Sequence, residues 1–116
     1  MRHNESSLQQ ACVRWFNLQY SNLRMLLFAV PNGGKRNSFE AARLQSEGVV
    51  AGVSDLILLA PNSRGQILCI EMKVGRGKQT ENQKAFQVSV ENTGNKYAIC
   101  STLDEFIVVV RKHLRE

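Results

Sequence analysis

The sequence predicts an α/β domain, a small mixed β-sheet flanked by helices. Three observations carry this. Apolar runs of strand length alternate with segments that open on helix-capping residues. Two of the runs, DLILLA at 55–60 and QILCIEMK at 66–73, are separated only by the turn PNSRG at 61–65 and so form a hairpin. A third run, KYAIC at 96–100, follows after a helix, and that crossover makes it parallel to its predecessor.

In chain order, Asn4 is placed to cap a first helix from about Glu5 to Gln19, with Leu8, Ala11, Cys12, Trp15 and Leu18 on one face. MLLFAV at 25–30 reads as a buried strand, and PNGGKRN at 31–37 is a loop dense in turn residues. Asn37 followed by Glu40 resembles a capping box opening a short helix that ends near Gly48. The hairpin comes next. Thr80 with Gln83 then opens a helix to about Thr93, stopped by Gly94. After KYAIC, Thr102 with Glu105 caps a last helix carrying Leu103, Phe106, Ile107, Val110 and Leu114. The order is α-β-α-β-β-α-β-α, with strands apolar on both sides, as expected when both faces of the sheet are covered.

The chain of 116 residues fits a single domain, 1–116. Hydrophobic residues at 43% and charged residues at 22% exclude a disordered chain. The longest apolar runs are too short to span a bilayer, and the polar start MRHNESS is unlike a signal peptide. Three scattered cysteines, Cys12, Cys69 and Cys100, suggest reduced thiols in a cytoplasmic setting. Cys69 and Cys100 fall on strands and are expected to be buried and inert. His3 and His113 form no zinc pattern with them. The net charge of +5 is compatible with a nucleic-acid partner without requiring one.

The chemistry concentrates in the hairpin. Side chains alternate along a strand, so Ile67, Cys69, Glu71 and Lys73 share one face, and Glu71 and Lys73 project together at the C-terminal end. In an antiparallel hairpin that end lies beside the start of the preceding strand, where Asp55 stands. Two carboxylates and an ammonium thus converge, in a D-x15-ExK pattern. Close carboxylates repel unless one is protonated or a divalent cation binds. Oxygen donors of this kind suit Mg2+ or Mn2+, with the backbone carbonyl of Met72 as a further ligand. A bound cation of this type lowers the pKa of water and neutralises charge on a phosphate in attack. Lys73 is placed to position or deprotonate the water or to clamp the phosphate. For an isolated ExK a salt-bridged hairpin end is the better reading by far; the D-x15-ExK hairpin with its surroundings tips the balance to the site.

Those surroundings are Glu5 and Gln9 in the first helix, PNGGKRN at 31–37, GVVAGVSDLILL at 48–59, IEMKVGRGKQTENQ at 70–83, and the terminal strand and helix. Together they resemble the PD-(D/E)XK nuclease superfamily, and within it a stand-alone VRR-NUC domain, over nearly the whole chain. The resemblance implies a restriction-endonuclease-like core. It implies Asp55 and Glu71 as metal ligands, Lys73 as the catalytic lysine, Glu5 as a first-helix acid reaching the metal directly or through water, and Gln83 as a glutamine beside the site. It implies a Mg2+- or Mn2+-dependent endonuclease for branched DNA such as Holliday junctions. The expected setting is a homodimer in a bacterial or phage-infected cytoplasm, with room for a helicase or other repair protein as partner. The family usually has proline where Ser54 precedes Asp55, which bears on the backbone and not the chemistry.

Lys35 and Arg36 in the first loop, and Arg76 and Lys78 in the loop after Lys73, are candidates for holding the DNA backbone. The GRGK at 75–78 is no P-loop, since Met72 stands where GxxxxGK[ST] needs glycine and Gln79 replaces the Ser/Thr. Trp15 and Phe16 read as core or dimer contacts rather than base-stacking platforms. Two further functions fit the fold: a non-catalytic nucleic-acid-binding module, and a restriction-type nuclease for linear duplex DNA.

Overall fold

The centre of the molecule is the strand Leu68–Met72 (β3), all five residues of which are buried. Such a strand needs cover on both faces, and its run of Leu, Cys, Ile, Glu and Met supplies no solvent face. The computed structural model describes residues 3–31 and 37–116, with side chains from residue 5 onward. Around β3 it sets Leu27–Ala29 (β1), Leu56–Leu58 (β2) and Lys96–Cys100 (β4) in the order β1-β2-β3-β4. The first two pairings are antiparallel and the third is parallel. The described residues also form four α-helices: His3–Gln19 (α1), Ser38–Ser46 (α2), Glu81–Asn92 (α3) and Leu103–Arg115 (α4). The element order and the mixed sheet are those the sequence predicts.

One face of the sheet is the apolar core. Leu56, Leu58, Leu68, Ile70, Met72 and Cys100 meet Cys12 and Phe16 of α1 and Phe106 and Val110 of α4. The first-helix stripe differs from expectation at both ends. Asn4 lies inside α1 and not at its cap, and Leu18 is exposed while Phe16 is fully buried. Phe16 lies one turn from Cys12, which is the spacing that keeps two residues on one face. Trp15 packs edge-on against Phe106 and Tyr20, with Arg111 over its ring, so it belongs to the fold. Met25 and Leu26 are also not in a strand. Residues Ser21–Leu26 form a 3-10 turn that delivers the chain to β1.

The opposite face is covered by α3, whose Phe86 meets Tyr97 of β4 edge-on. Helix α3 starts at a complete capping box: Thr80 Oγ1 accepts from the Gln83 N–H and Gln83 Oε1 accepts from the Thr80 N–H. Only half of such a box is seen at α2, where Asn37 accepts from the Glu40 N–H. At α4 Thr102 accepts from the Glu105 N–H, and the Glu105 carboxylate reaches one residue further back, to the Ser101 N–H.

The hairpin is closed by Asn62. Its Oδ1 accepts from the N–H groups of Arg64 and Gln66, and its Nδ2 donates to Gln66 Oε1. Ser54 is buried and donates to the Leu56 carbonyl, so its hydroxyl braces the entry to β2. All three cysteines are buried free thiols. Burial pushes Cys12 up to about 12 and Cys100 up to about 11, which makes them poor nucleophiles. Among the described residues, no helix is long and apolar enough to cross a membrane.

Gly52 fixes the segment leading into β2. Its φ is +90°, and a Cβ there would lie 2.5 Å from the backbone carbon and oxygen of Asn82 at the start of α3. Gly65 also has positive φ but faces open space. Gly52→Ala is therefore expected to destabilise by ~2–4 kcal/mol, adding a steric clash to backbone strain. Gly65→Ala is expected to cost only about 1 kcal/mol. Urea denaturation of the two variants checks the difference.

His113 of α4 is fully buried, with Nε2 bonded to the Ala60 carbonyl at 2.9 Å and Nδ1 without a partner. Burial holds its pKa below the ordinary 6.5, against the pull of the Ala60 carbonyl. The unfolded chain therefore takes up a proton near pH 6.5 that the folded chain refuses, and stability falls as pH drops below that value. The slope from this one group is at most ~1.4 kcal/mol per pH unit. Thermal melts between about pH 7.5 and about pH 5.5 should show a loss that His113→Gln flattens.

Candidate active site

The register Leu56↔Ile70 and Leu58↔Leu68 carries the antiparallel pairing to the open end of the hairpin. There Asp55, one residue before β2, faces the last residues of β3. Its Oδ2 accepts the Met72 N–H at 2.6 Å, so an acid side chain closes the ladder where the strand itself stops. Its own carbonyl accepts from the Val30 N–H, which ties the site to the end of β1. Burial holds the Asp55 carboxyl above its usual range, and the charge of Glu71 adds to this; the Met72 N–H and Lys73 pull the other way.

Glu71 is fully buried. Its Oε1 accepts a hydrogen bond from the Tyr97 hydroxyl. Its Oε2 has no hydrogen-bond partner, although it is also buried. Lys73 Nζ lies 3.6 Å from that oxygen, close enough for charge pairing and too far for a hydrogen bond. A buried carboxylate held this way is costly unless a further positive group completes it.

Tyr97 has no chemical signature in the sequence and was not among the expected site residues. The parallel register sets it opposite Cys69, on the same face as Glu71. A position pairing two residues upstream of the glutamate was the available clue. Burial, and then its bond to the Glu71 carboxylate, hold the Tyr97 hydroxyl above its usual range, so it remains a donor.

The remaining expected residues fall into three groups. Gln83 caps α3 and also lines a cleft of about 310 Å³ together with Asp55, Leu44, Val53 and Asn82. Glu5 stands on α1 with its carboxylate near Gly77 and the Lys73 stem: a Cβ on Gly77 would lie 3.9 Å from Glu5 Oε2 and 3.4 Å from Lys73 Cδ. It borders the site without joining the Asp55–Glu71 pair. Among the described residues no three of the His, Cys, Asp and Glu side chains come close enough together to enclose a metal ion. Arg76 and Lys78 are exposed in the loop beyond Lys73. Lys35 and Arg36 lie outside the described residues.

The donor set nonetheless fits a hard divalent cation. Asp55 and Glu71 are oxygen donors, the Glu71 Oε2 is orphaned, and two carboxylates against one ammonium leave negative charge in excess. Such a cation would be held by Asp55, Glu71 and the Met72 carbonyl.

A model of the VRR-NUC domain matches residues 3–103. No curated protein matches the chain. A solved structure described as a VRR_NUC domain protein superimposes with a TM-score of 0.82 over 97% of this chain and 91% of that one, and at 24% identity that likeness speaks for the fold. The match over most of its length makes the chain a member of the VRR-NUC family, a nuclease-type domain.

Proposed function

We propose that the protein is a Mg2+- or Mn2+-dependent endonuclease that hydrolyses phosphodiester bonds in DNA, with branched DNA such as Holliday junctions as its substrate. The observation that carries this reading is the buried, unpartnered Glu71 Oε2 beside Asp55 and Lys73 at the end of the hairpin. A purely structural ion pair would gain by closing to hydrogen-bond distance and leaving no oxygen over. Here an oxygen is left, and the local charge favours a cation.

In this reading Asp55 and Glu71 hold the cation, with the carbonyl of Met72, between Glu71 and Lys73 in sequence, as a further ligand. When bound, a divalent ion supplies an acidified water and neutralises charge on the phosphate. Lys73 orients or deprotonates the attacking water, or steadies the phosphate oxygens, from its place 3.6 Å from Glu71. Gln83 sits where the cleft meets Asp55 and lends an amide to the substrate side. Arg76 and Lys78, exposed just past the site, hold the DNA backbone by charge. A junction presents two strands for cutting, so the reading calls for two copies of the chain acting together.

Lys73→Ala and Asp55→Asn should each lower cleavage at least ~100-fold. The measurement is a Mn2+ cleavage assay on a panel of junction, flap, single-stranded and linear duplex DNA. If either variant cut as fast as the unaltered protein, the assignment would fail, and preferential cutting of linear duplex would point to the restriction-type alternative.

Arg76→Ala and Lys78→Ala should each weaken DNA binding uniformly across sequences and reduce the slope of log affinity against log salt by about one. Binding is titrated over a range of salt in a Lys73→Ala background, so that cleavage does not intervene. An unchanged slope in both variants would remove the loop from the interface.

A further inference from the structure

Beyond the Asp55–Glu71 pair, a directed chain of hydrogen bonds runs from α3 through Gln79, in the loop before that helix, and Tyr97 of β4 to Glu71. Glu91 Oε2 accepts from Gln87 Nε2 at 3.3 Å. Gln87 Oε1 accepts from Gln79 Nε2 at 2.9 Å. The same Gln79 Nε2 lies 3.4 Å from the Tyr97 hydroxyl oxygen, and Tyr97 donates to Glu71 Oε1. Each link fixes the sense of the next. Carboxylate Glu91 can only accept, so Gln87 turns its amide NH2 outward and its oxygen inward. That oxygen demands the NH2 of Gln79, and the NH2 occupies the lone-pair side of the phenol. The phenolic hydrogen is left one place to go, the Glu71 carboxylate. The Phe86 ring packed edge-on against Tyr97 holds the phenol in place.

We propose that Tyr97 is a positioning residue that reserves Oε1 of Glu71 and leaves Oε2 as the one oxygen this carboxylate offers to a divalent cation, so that the site favours Mg2+ and Mn2+ over Ca2+. The inference rests on the reading of Asp55 and Glu71 as metal ligands. Its physical basis is the difference between the ions. Ca2+ takes six to eight oxygens and often grips a carboxylate by both; Mg2+ is smaller and holds to six. A glutamate with one oxygen already occupied suits the smaller ion. Among the described residues Tyr97 alone hydrogen-bonds Oε1, and Oε2 has no hydrogen-bond partner, with Lys73 Nζ 3.6 Å away.

The test uses the whole chain and the metals alone. Mn2+ and Ca2+ binding are measured by calorimetry for the unaltered protein, Tyr97→Phe, Gln79→Leu and Glu71→Gln, with folding checked by circular dichroism. Tyr97→Phe keeps the ring against Phe86 and frees Oε1. The ratio of Ca2+ to Mn2+ affinity should rise about tenfold, the size of one charge-assisted hydrogen bond. Gln79→Leu, which leaves Tyr97 in place and removes the group that orients it, should shift the ratio the same way by a smaller factor. It decides the matter if Tyr97→Phe fails to fold. An unchanged ratio in these variants, with Mn2+ binding lost in Glu71→Gln, would overturn the role of Tyr97 and leave the metal site standing. Mn2+ binding undiminished in Glu71→Gln would remove the site and this inference together.

Discussion

The hydrogen bond from the Met72 N–H to the Asp55 carboxylate is the contact on which the rest of the site depends. Strand β2 stops at Leu56 on this side, and the backbone ladder with it. Met72 would then have a buried N–H with no carbonyl opposite, a costly state in a strand with no solvent face. Asp55 fills that vacancy with a side chain. The same contact therefore satisfies the central strand, fixes the carboxylate and sets the register that brings it to Glu71. A slip of one residue would turn Glu71 into the apolar core and put Met72 in its place.

A carboxylate as deeply buried as Glu71 is governed by the charged and polar groups around it, and they come from three different parts of the chain. Its own strand supplies Lys73, the parallel neighbour supplies Tyr97, and the hairpin supplies Asp55. None of the three neutralises it fully by a hydrogen bond. Tyr97 donates to one oxygen, Lys73 stays beyond bonding distance of the other, and Asp55 adds negative charge. The raised pKa of Asp55 reflects this crowding on top of its burial. A core built only for stability would gain from an apolar residue at this position. In the proposed reading a divalent cation would supply the missing positive charge.

Much of this was legible in the sequence because the rules involved are short-range. Two-residue alternation put Glu71 and Lys73 on one face, the five-residue turn made the hairpin, and the box of Thr80 with Gln83 marked the start of α3. What escaped was set by tertiary packing. Leu18 and Phe16 differ by half a turn, and only the docking of α1 on the sheet decides which is buried. Met25 and Leu26 have strand-like composition, yet the chain must climb from α1 to the sheet edge there, and a 3-10 turn does it. Tyr97 was invisible for a related reason. KYAIC reads as one more apolar strand, and the value of its tyrosine depends on the parallel register with β3.

The same reasoning separates Glu71 from the cations Arg76 and Lys78. Arg76 and Lys78 sit on a segment held by few backbone bonds, the Gly77 N–H to the Val74 carbonyl among them. A charge there can adapt to a backbone of variable shape at little cost in order. Glu71 can adapt to nothing, since its strand is bonded on both sides and its face is roofed by α3. In the proposed reading, the fixed Glu71 sets the point of cutting while the exposed Arg76 and Lys78 would hold the DNA backbone by charge. In that reading, selectivity for DNA shape would come from those exposed cations and from a second copy of the chain, because the buried Glu71 holds one geometry.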